Sequence, residues 1–202
     1  MKKDNSKNCC NFISACGCGN NAFRPEVPQG ETKGIEGERK VLSVDLMVID
    51  LETCERCVPT GESLTKAVDL LKPVAEALGV ELRYQEIVVR TPEEAMAKAL
   101  SSSPTIRFNG RDIDQDIRES LCESCGDLTD NNTPVQCREW HYRGRIFSSA
   151  PLPLLIERIT SAILNIDEIP PVVPAPLEEL PENLQRYFDN KKKAKAAPPC
   201  CC

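Results

Sequence analysis

The chain has 202 residues, 41% hydrophobic and 28% charged, the balance of a water-soluble domain with a core of its own. Its net charge of −6 argues against non-specific nucleic-acid binding, and no apolar run reaches the length of a membrane helix. Twelve cysteines and one histidine direct attention to thiol chemistry: in a reducing compartment, thiols at short spacing read as metal or redox sites rather than a disulfide framework. The expected location is the cytoplasm. The opening Met1-Lys2-Lys3 is followed by no apolar segment, and Asp4 to Asn11 is too polar to make Ile13-Ser14-Ala15-Cys16 a lipoprotein cleavage box.

Residues 1–40, rich in Asn, Gly and charge, read as a flexible arm carrying Cys9, Cys10, Cys16 and Cys18. A buried strand is predicted over 41–49, interrupted by Asp45. Thr53 to Cys57 follows, then a helix with Leu64, Ala67, Val68, Leu71, Val74, Ala75 and Leu78 on one face, kinked at Pro73 and stopped by Gly79. A second strand covers 80–89. Thr91 and Pro92 open a helix running to about Leu100, and a third strand ends at Phe108. Asn109-Gly110 signals a hairpin into a fourth strand near Arg111.

A polar, cysteine-bearing insertion is expected at about 121–138, then a small hairpin around Arg143-Gly144. Pro151 or Pro153 opens a helix with Leu155, Ile156, Ile159 and Ile163 on one face, which closes an ordered domain of 41–166. Over 167–202 the composition changes. Five prolines between Pro170 and Pro181 suggest a stiff linker, and Leu184, Tyr187 and Phe188 could line a short helix. The solvated basic run Lys191 to Lys195 and the terminal Cys200, Cys201 and Cys202 follow. Sparse apolar content predicts that both ends are dispensable for folding.

The chemistry expected of Cys54 and Cys57 comes from their place between a strand and a helix. A thiol at a helix N-terminus meets the positive end of the helix dipole and unpaired N–H groups, and both favour thiolate. Two intervening residues let the second cysteine close a disulfide after the first attacks. Cys54 is therefore the expected attacking thiol, more exposed and more acidic than Cys57, the resolving thiol. Arg56 adds positive charge nearby, opposed by Glu52 and Glu55.

The order strand, Cys-x-x-Cys, kinked helix, strand, helix, Ser103-Pro104-Thr105, strand, strand, helix resembles the thioredoxin superfamily over roughly 41–165. The set Asp50-Leu51-Glu52-Thr53-Cys54-Glu55-Arg56-Cys57, Ser102-Ser103-Pro104-Thr105-Ile106 and Cys137-Arg138-Glu139-Trp140 is more narrowly similar to a prokaryotic thioredoxin-like family designated domain of unknown function 2703. The resemblance implies an α/β three-layer sandwich with a central mixed sheet, here with a Cys-rich insertion and Cys-bearing tails. It further implies a cis Pro104 facing Cys54, with Ser103, Pro104 and Thr105 shaping a substrate groove. The chain departs from thioredoxins proper by lacking Trp-Cys-Gly-Pro-Cys.

Cys122, Cys125, Cys137 and His141 form a Cys₃His set suited to zinc. Cys122 and Cys125 could alternatively be a second redox pair exchanging with Cys54 and Cys57, or the three cysteines could hold a trivalent metalloid. The adjacent thiols Cys9-Cys10 and Cys200-Cys201-Cys202 could share one soft ion such as copper(I), mercury(II) or arsenic(III), an architecture similar to thioredoxin-like arsenical metallochaperones.

Three functions follow. The first is a thiol–disulfide oxidoreductase acting on a thiol or disulfide substrate and needing no cofactor. The second is a soft-metal or metalloid binder or chaperone exchanging its ion with a donor or acceptor protein. The third is an interaction module stapled by zinc. No nucleic-acid partner and no membrane insertion are expected.

Overall fold

Leu42, Val44 and Leu46 alternate along the chain and are fully buried, which makes β1 (Lys40–Val48) a core strand. In the computed structural model, which describes residues 39–52, 54–127 and 135–196, β1 is an inner strand of a mixed sheet. It pairs in parallel with β2 (Val80–Val88) and antiparallel with β3 (Thr105–Phe108), which pairs with the two-residue β4 (Arg111–Asp112). Asp45 does not break the strand, because its carboxylate accepts a 2.7 Å hydrogen bond from Gln85, its partner on β2. These residues all lie within one unit, Glu36–Cys202. The expected ion-capturing cysteines Cys9, Cys10, Cys200, Cys201 and Cys202 lie outside the described residues.

The parallel β1–β2 connection is α1 (Cys57–Ala77), which contains Pro73. Leu64, Ala67, Val68, Leu71 and Ala75 turn inward, but Val74 and Leu78, expected on the same face, are largely exposed. Val74 falls at the margin of the apolar stripe, and Leu78 is the residue that ends the helix. Gly79, at φ +76°, follows the helix end as expected. Thr91 caps α2 (Pro92–Ala97) by accepting the Glu94 N–H, and Glu94 returns a bond to the N–H of Arg90.

The expected insertion is larger than its cysteine-bearing core. β5 (Arg118–Cys122), a short helical turn α3 (Glu123–Asp127), β6 (Val135–Tyr142) and β7 (Arg145–Phe147) follow β4. β5, β6 and β7 form a second, antiparallel sheet, so the hairpin at Arg143-Gly144 belongs to the same layer as the insertion. Its two turn residues have positive φ, as a tight hairpin requires. Then α4 (Leu152–Leu164) packs beside α1, burying Leu155, Ile159 and Ile163.

The segment expected to be a linker is bound to the domain. Asn109 donates to the Ile169 carbonyl at 2.7 Å, Val172 N–H to the Asn109 carbonyl at 3.0 Å, and Leu177 N–H to the Met96 carbonyl at 2.9 Å. Gly110 is needed under this strap, since a β-carbon there would lie 2.0 Å from the Val172 carbonyl oxygen. The strap leads into α5 (Glu182–Ala196), where Leu184, Tyr187 and Phe188 are buried. Leu184, Tyr187 and Phe188 thus belong to the hydrophobic core, where the sequence suggests a linker and a short helix outside it. Among the described residues, no helix is long and apolar enough to cross a membrane.

Candidate functional site

After β1 the chain turns around Asp50, whose Oδ1 accepts the N–H groups of both Glu52 and Cys54 at 3.0 Å. This turn delivers Cys54 to the foot of α1, where its carbonyl accepts the Val58 N–H. The Cys57 N–H points back to the Cys54 sulfur at 3.3 Å. Cys57 Sγ lies 3.5 Å from Ser103 Oγ, and that hydroxyl also accepts the Ile49 N–H at 3.2 Å. The Ser103–Pro104 peptide bond is cis. Thus β1, α1 and the loop before β3 converge on the pair. Both thiols have 0% exposure, so Cys54 is not the more accessible of the two.

The insertion brings further thiols to the same point. Cys122 ends β5, Cys125 lies in α3 and Cys137 in β6. The sulfur atoms of Cys54, Cys122 and Cys125 all lie within 4.8 Å of one another. Cys125 is 3.7 Å from Cys54 and 3.4 Å from Cys137. The five cysteines among the described residues are therefore buried, free and grouped around Cys54 and Cys125.

Arg56, between the two cysteines of the first pair, fastens this junction. Its guanidinium donates to the carbonyls of Cys137 at 3.0 Å and Arg138 at 3.3 Å, and to that of Leu121, next to Cys122. Ser124 Oγ accepts the Glu55 N–H at 3.2 Å. Arg138 supports the loop before β3 from the other side. Its backbone N–H donates to the Ser103 carbonyl, and its guanidinium makes a two-pronged pair with Asp112 while lying 4.4 Å from the Trp140 ring centroid.

The crowded thiols cannot titrate independently. Cys122 is driven far down by hydrogen bonds from Cys125, Cys137 and Cys54, which stabilise its thiolate. Contact with Cys122 foremost pushes both Cys125 and Cys137 up; Cys137 and Cys54 add to the rise at Cys125, while at Cys137 burial adds to it and the Cys125 hydrogen bond opposes it. Contact with Cys122 also opposes ionisation of Cys54, but hydrogen bonds with Cys125 and Cys57 outweigh it and hold Cys54 below its ordinary value. Cys57 is pushed well up by its hydrogen bond to Cys54 and by burial. Cys122 and Cys54 give up a proton more readily than an isolated thiol, and Cys57, Cys125 and Cys137 resist.

The structure does not bring His141 to the thiols. Its Nε2 lies 2.8 Å from Glu139, and its side chain is 33% exposed. The expected Cys₃His set fails because Cys137 and His141 share one strand: four residues of strand span about 13 Å, too far for one ion. Cys54 takes its place beside Cys122 and Cys125.

Sequence reasoning also missed Tyr187. From α5 its hydroxyl reaches the Ile49 carbonyl at 3.4 Å, and Lys191 donates to it at 2.9 Å. Burial pushes its phenol up, assisted by the charges of Asp50 and of Cys125, Cys57 and Cys54. Its only sequence signal is membership of the apolar face with Leu184 and Phe188.

The model of a family described as "Domain of unknown function (DUF2703)" matches residues 42–159, more than half of the chain. The chain belongs to this DUF2703 family. It is also 36% identical over 84 residues to an "Uncharacterized protein" of Archaeoglobus fulgidus. That alignment covers 39% of this chain and 60% of the archaeal protein's length. No solved structure matches the chain significantly. The matched family region contains all five thiols of the site.

Proposed function

We propose that this DUF2703 protein binds a thiophilic metal or metalloid ion through Cys54, Cys122 and Cys125, with Cys137 available as a fourth thiolate. The observation that carries this reading is the compactness of the triad: three buried sulfurs from two distant segments lie within 4.8 Å of one another. Thiols are weak hydrogen-bond partners, so their mutual contacts reward such convergence little, whereas a bound ion would supply folding energy to the polar insertion. Four sulfurs at about 2.3 Å from a tetrahedral ion stand about 3.8 Å apart, close to the 3.7 Å between Cys54 and Cys125. Three thiolates alone suit a trigonal arsenic(III). The Arg56 guanidinium holds the chain on either side of the thiols through the carbonyls of Leu121 and Cys137.

A second reading, thiol–disulfide exchange, is favoured by the Cys57 N–H directed at the Cys54 sulfur and by the opposed shifts of the two thiols. Cys54 would attack and Cys57 resolve. A thioredoxin-like frame belongs to this reading, supported by the parallel β1–α1–β2 unit and by Ser103 and Pro104 beside Cys57.

Metal content of the reduced full chain tests the primary reading. After incubation with zinc or arsenite and removal of excess ion, about one ion per chain is expected. Cys54→Ser should abolish retention of either ion. Cys137→Ser should lose zinc but keep arsenic(III), while His141→Ala should keep both. Retention of both ions by Cys54→Ser would contradict the assignment.

A further inference from the structure

Cys54 belongs to two groups at once. On one side it completes the triad with Cys122 and Cys125; on the other it contacts Cys57, which lies against Ser103 and outside that triad. We propose that hydrogen peroxide discharges the ion site by converting Cys54 and Cys57 into a disulfide. The proposal rests on the metal-binding reading above. Any chemistry that commits Cys54 to Cys57 removes one sulfur from the ion site, and a zinc site that has lost one of its four thiolates holds its ion far less tightly.

The chemistry balances with the oxidant named. The Cys54 sulfur attacks one peroxide oxygen, the O–O bond breaks, and Cys54 becomes a sulfenic acid while the other oxygen leaves as water after protonation. The Cys57 sulfur then attacks the Cys54 sulfur, the S–O bond breaks and a second water departs. Together two thiols lose two electrons and two protons, and one peroxide becomes two waters. Reduction by an external dithiol restores both thiols and the ion site.

Three observations favour this pair and this class of oxidant. Both sulfurs are fully buried, so a molecule as small as hydrogen peroxide reaches them more readily than a protein disulfide does. The Cys57 backbone N–H already holds the Cys54 sulfur at 3.3 Å, and the two intervening residues are the sequence spacing at which a second cysteine closes a disulfide. Among the described thiols, Cys57 alone stands outside both the triad and its fourth ligand Cys137, so it takes Cys54 away without itself leaving the ion site.

The test uses the reduced full chain loaded with zinc, freed of excess metal and treated with hydrogen peroxide beside a chromogenic zinc chelator. Zinc should leave with about one peroxide consumed per ion, and peptide mapping should place the disulfide between Cys54 and Cys57. Cys57→Ser, loaded to whatever zinc content it reaches, should release its ion about tenfold more slowly or worse. Release at the wild-type rate from Cys57→Ser, or a bridge mapped to Cys122 and Cys125, overturns the inference but leaves the metal site standing. A chain that takes up no zinc or other thiophilic ion overturns the metal reading and this inference with it. The wild-type disulfide map decides between the bridges even if Cys57→Ser fails to fold.

Discussion

The sulfur atoms of Cys54 and Cys125 stand 3.7 Å apart, although 71 positions separate the residues in sequence. Arg56 holds the two segments together, its guanidinium shared among the carbonyls of Leu121, Cys137 and Arg138. Replacing it leaves buried carbonyls without a donor. Arg56→Met should therefore cost about 1.5–3 kcal/mol in denaturant unfolding and weaken zinc retention in competition with a chelator. Arg56→Lys should rescue little of either loss, because a single ammonium cannot reproduce a fork spanning three carbonyls. Full rescue by lysine would contradict this role.

Arg138 and Asp112 make a second junction, between β6 and β4. Arg138 is 1% exposed, so removing its partner strands a buried charge. Asp112→Ala should destabilise the protein by about 3–5 kcal/mol. Replacing both partners, as Asp112→Ala with Arg138→Met, should cost less than the sum of the single changes. Urea titrations of the three variants measure the coupling, and simple additivity would argue against it.

Much of the sheet was legible because its signals are local. Alternating Leu42, Val44 and Leu46, the Thr91-Pro92 helix start, and the Asn109-Gly110 and Arg143-Gly144 turns each act over a few residues. Cys54 and Cys57 were found for the same reason. The rest of the site was not legible, because nothing in Cys122-x-x-Cys125 states which distant thiol it meets. The histidine nearest in sequence was the natural fourth ligand, but strand geometry carries His141 away to Glu139. The proline-rich segment looked like a linker because its binding uses backbone groups of Val172 and Leu177, which leave no mark in composition.

Tyr187 ties α5 to the carbonyl of Ile49, whose N–H is bonded to the Ser103 hydroxyl beside Cys57, and its loss should loosen the site. Tyr187→Ala should cost about 3 kcal/mol, in line with other aromatic truncations in cores. It should also raise the rate of thiol alkylation in the reduced, metal-free protein by about tenfold or more, through easier local opening. Alkylation of Cys54 at the unchanged, slow rate would mean that another element seals the site.

The metal-free, reduced protein should lose stability in alkali. Cys57 is held above the ordinary thiol value of 9.0 by its contact with Cys54 and by burial. A group whose folded pKa is raised contributes stability below its unfolded pKa, and that contribution disappears as pH rises through the folded value. Unfolding midpoints in urea should therefore fall between about pH 8 and pH 10, and Cys57→Ala should flatten this fall. An equal slope in the variant would assign the effect to other groups.

X-ray absorption at the zinc edge, on the reduced full chain loaded with one zinc, tests the central claim most directly. The ligand set Cys54, Cys122, Cys125 and Cys137 predicts an all-sulfur first shell at about 2.3 Å, without the outer-shell pattern of an imidazole. A shell with one nitrogen at about 2.0 Å and an imidazole signature that vanishes in His141→Ala would contradict it, restoring the ligand set that the sequence alone suggests.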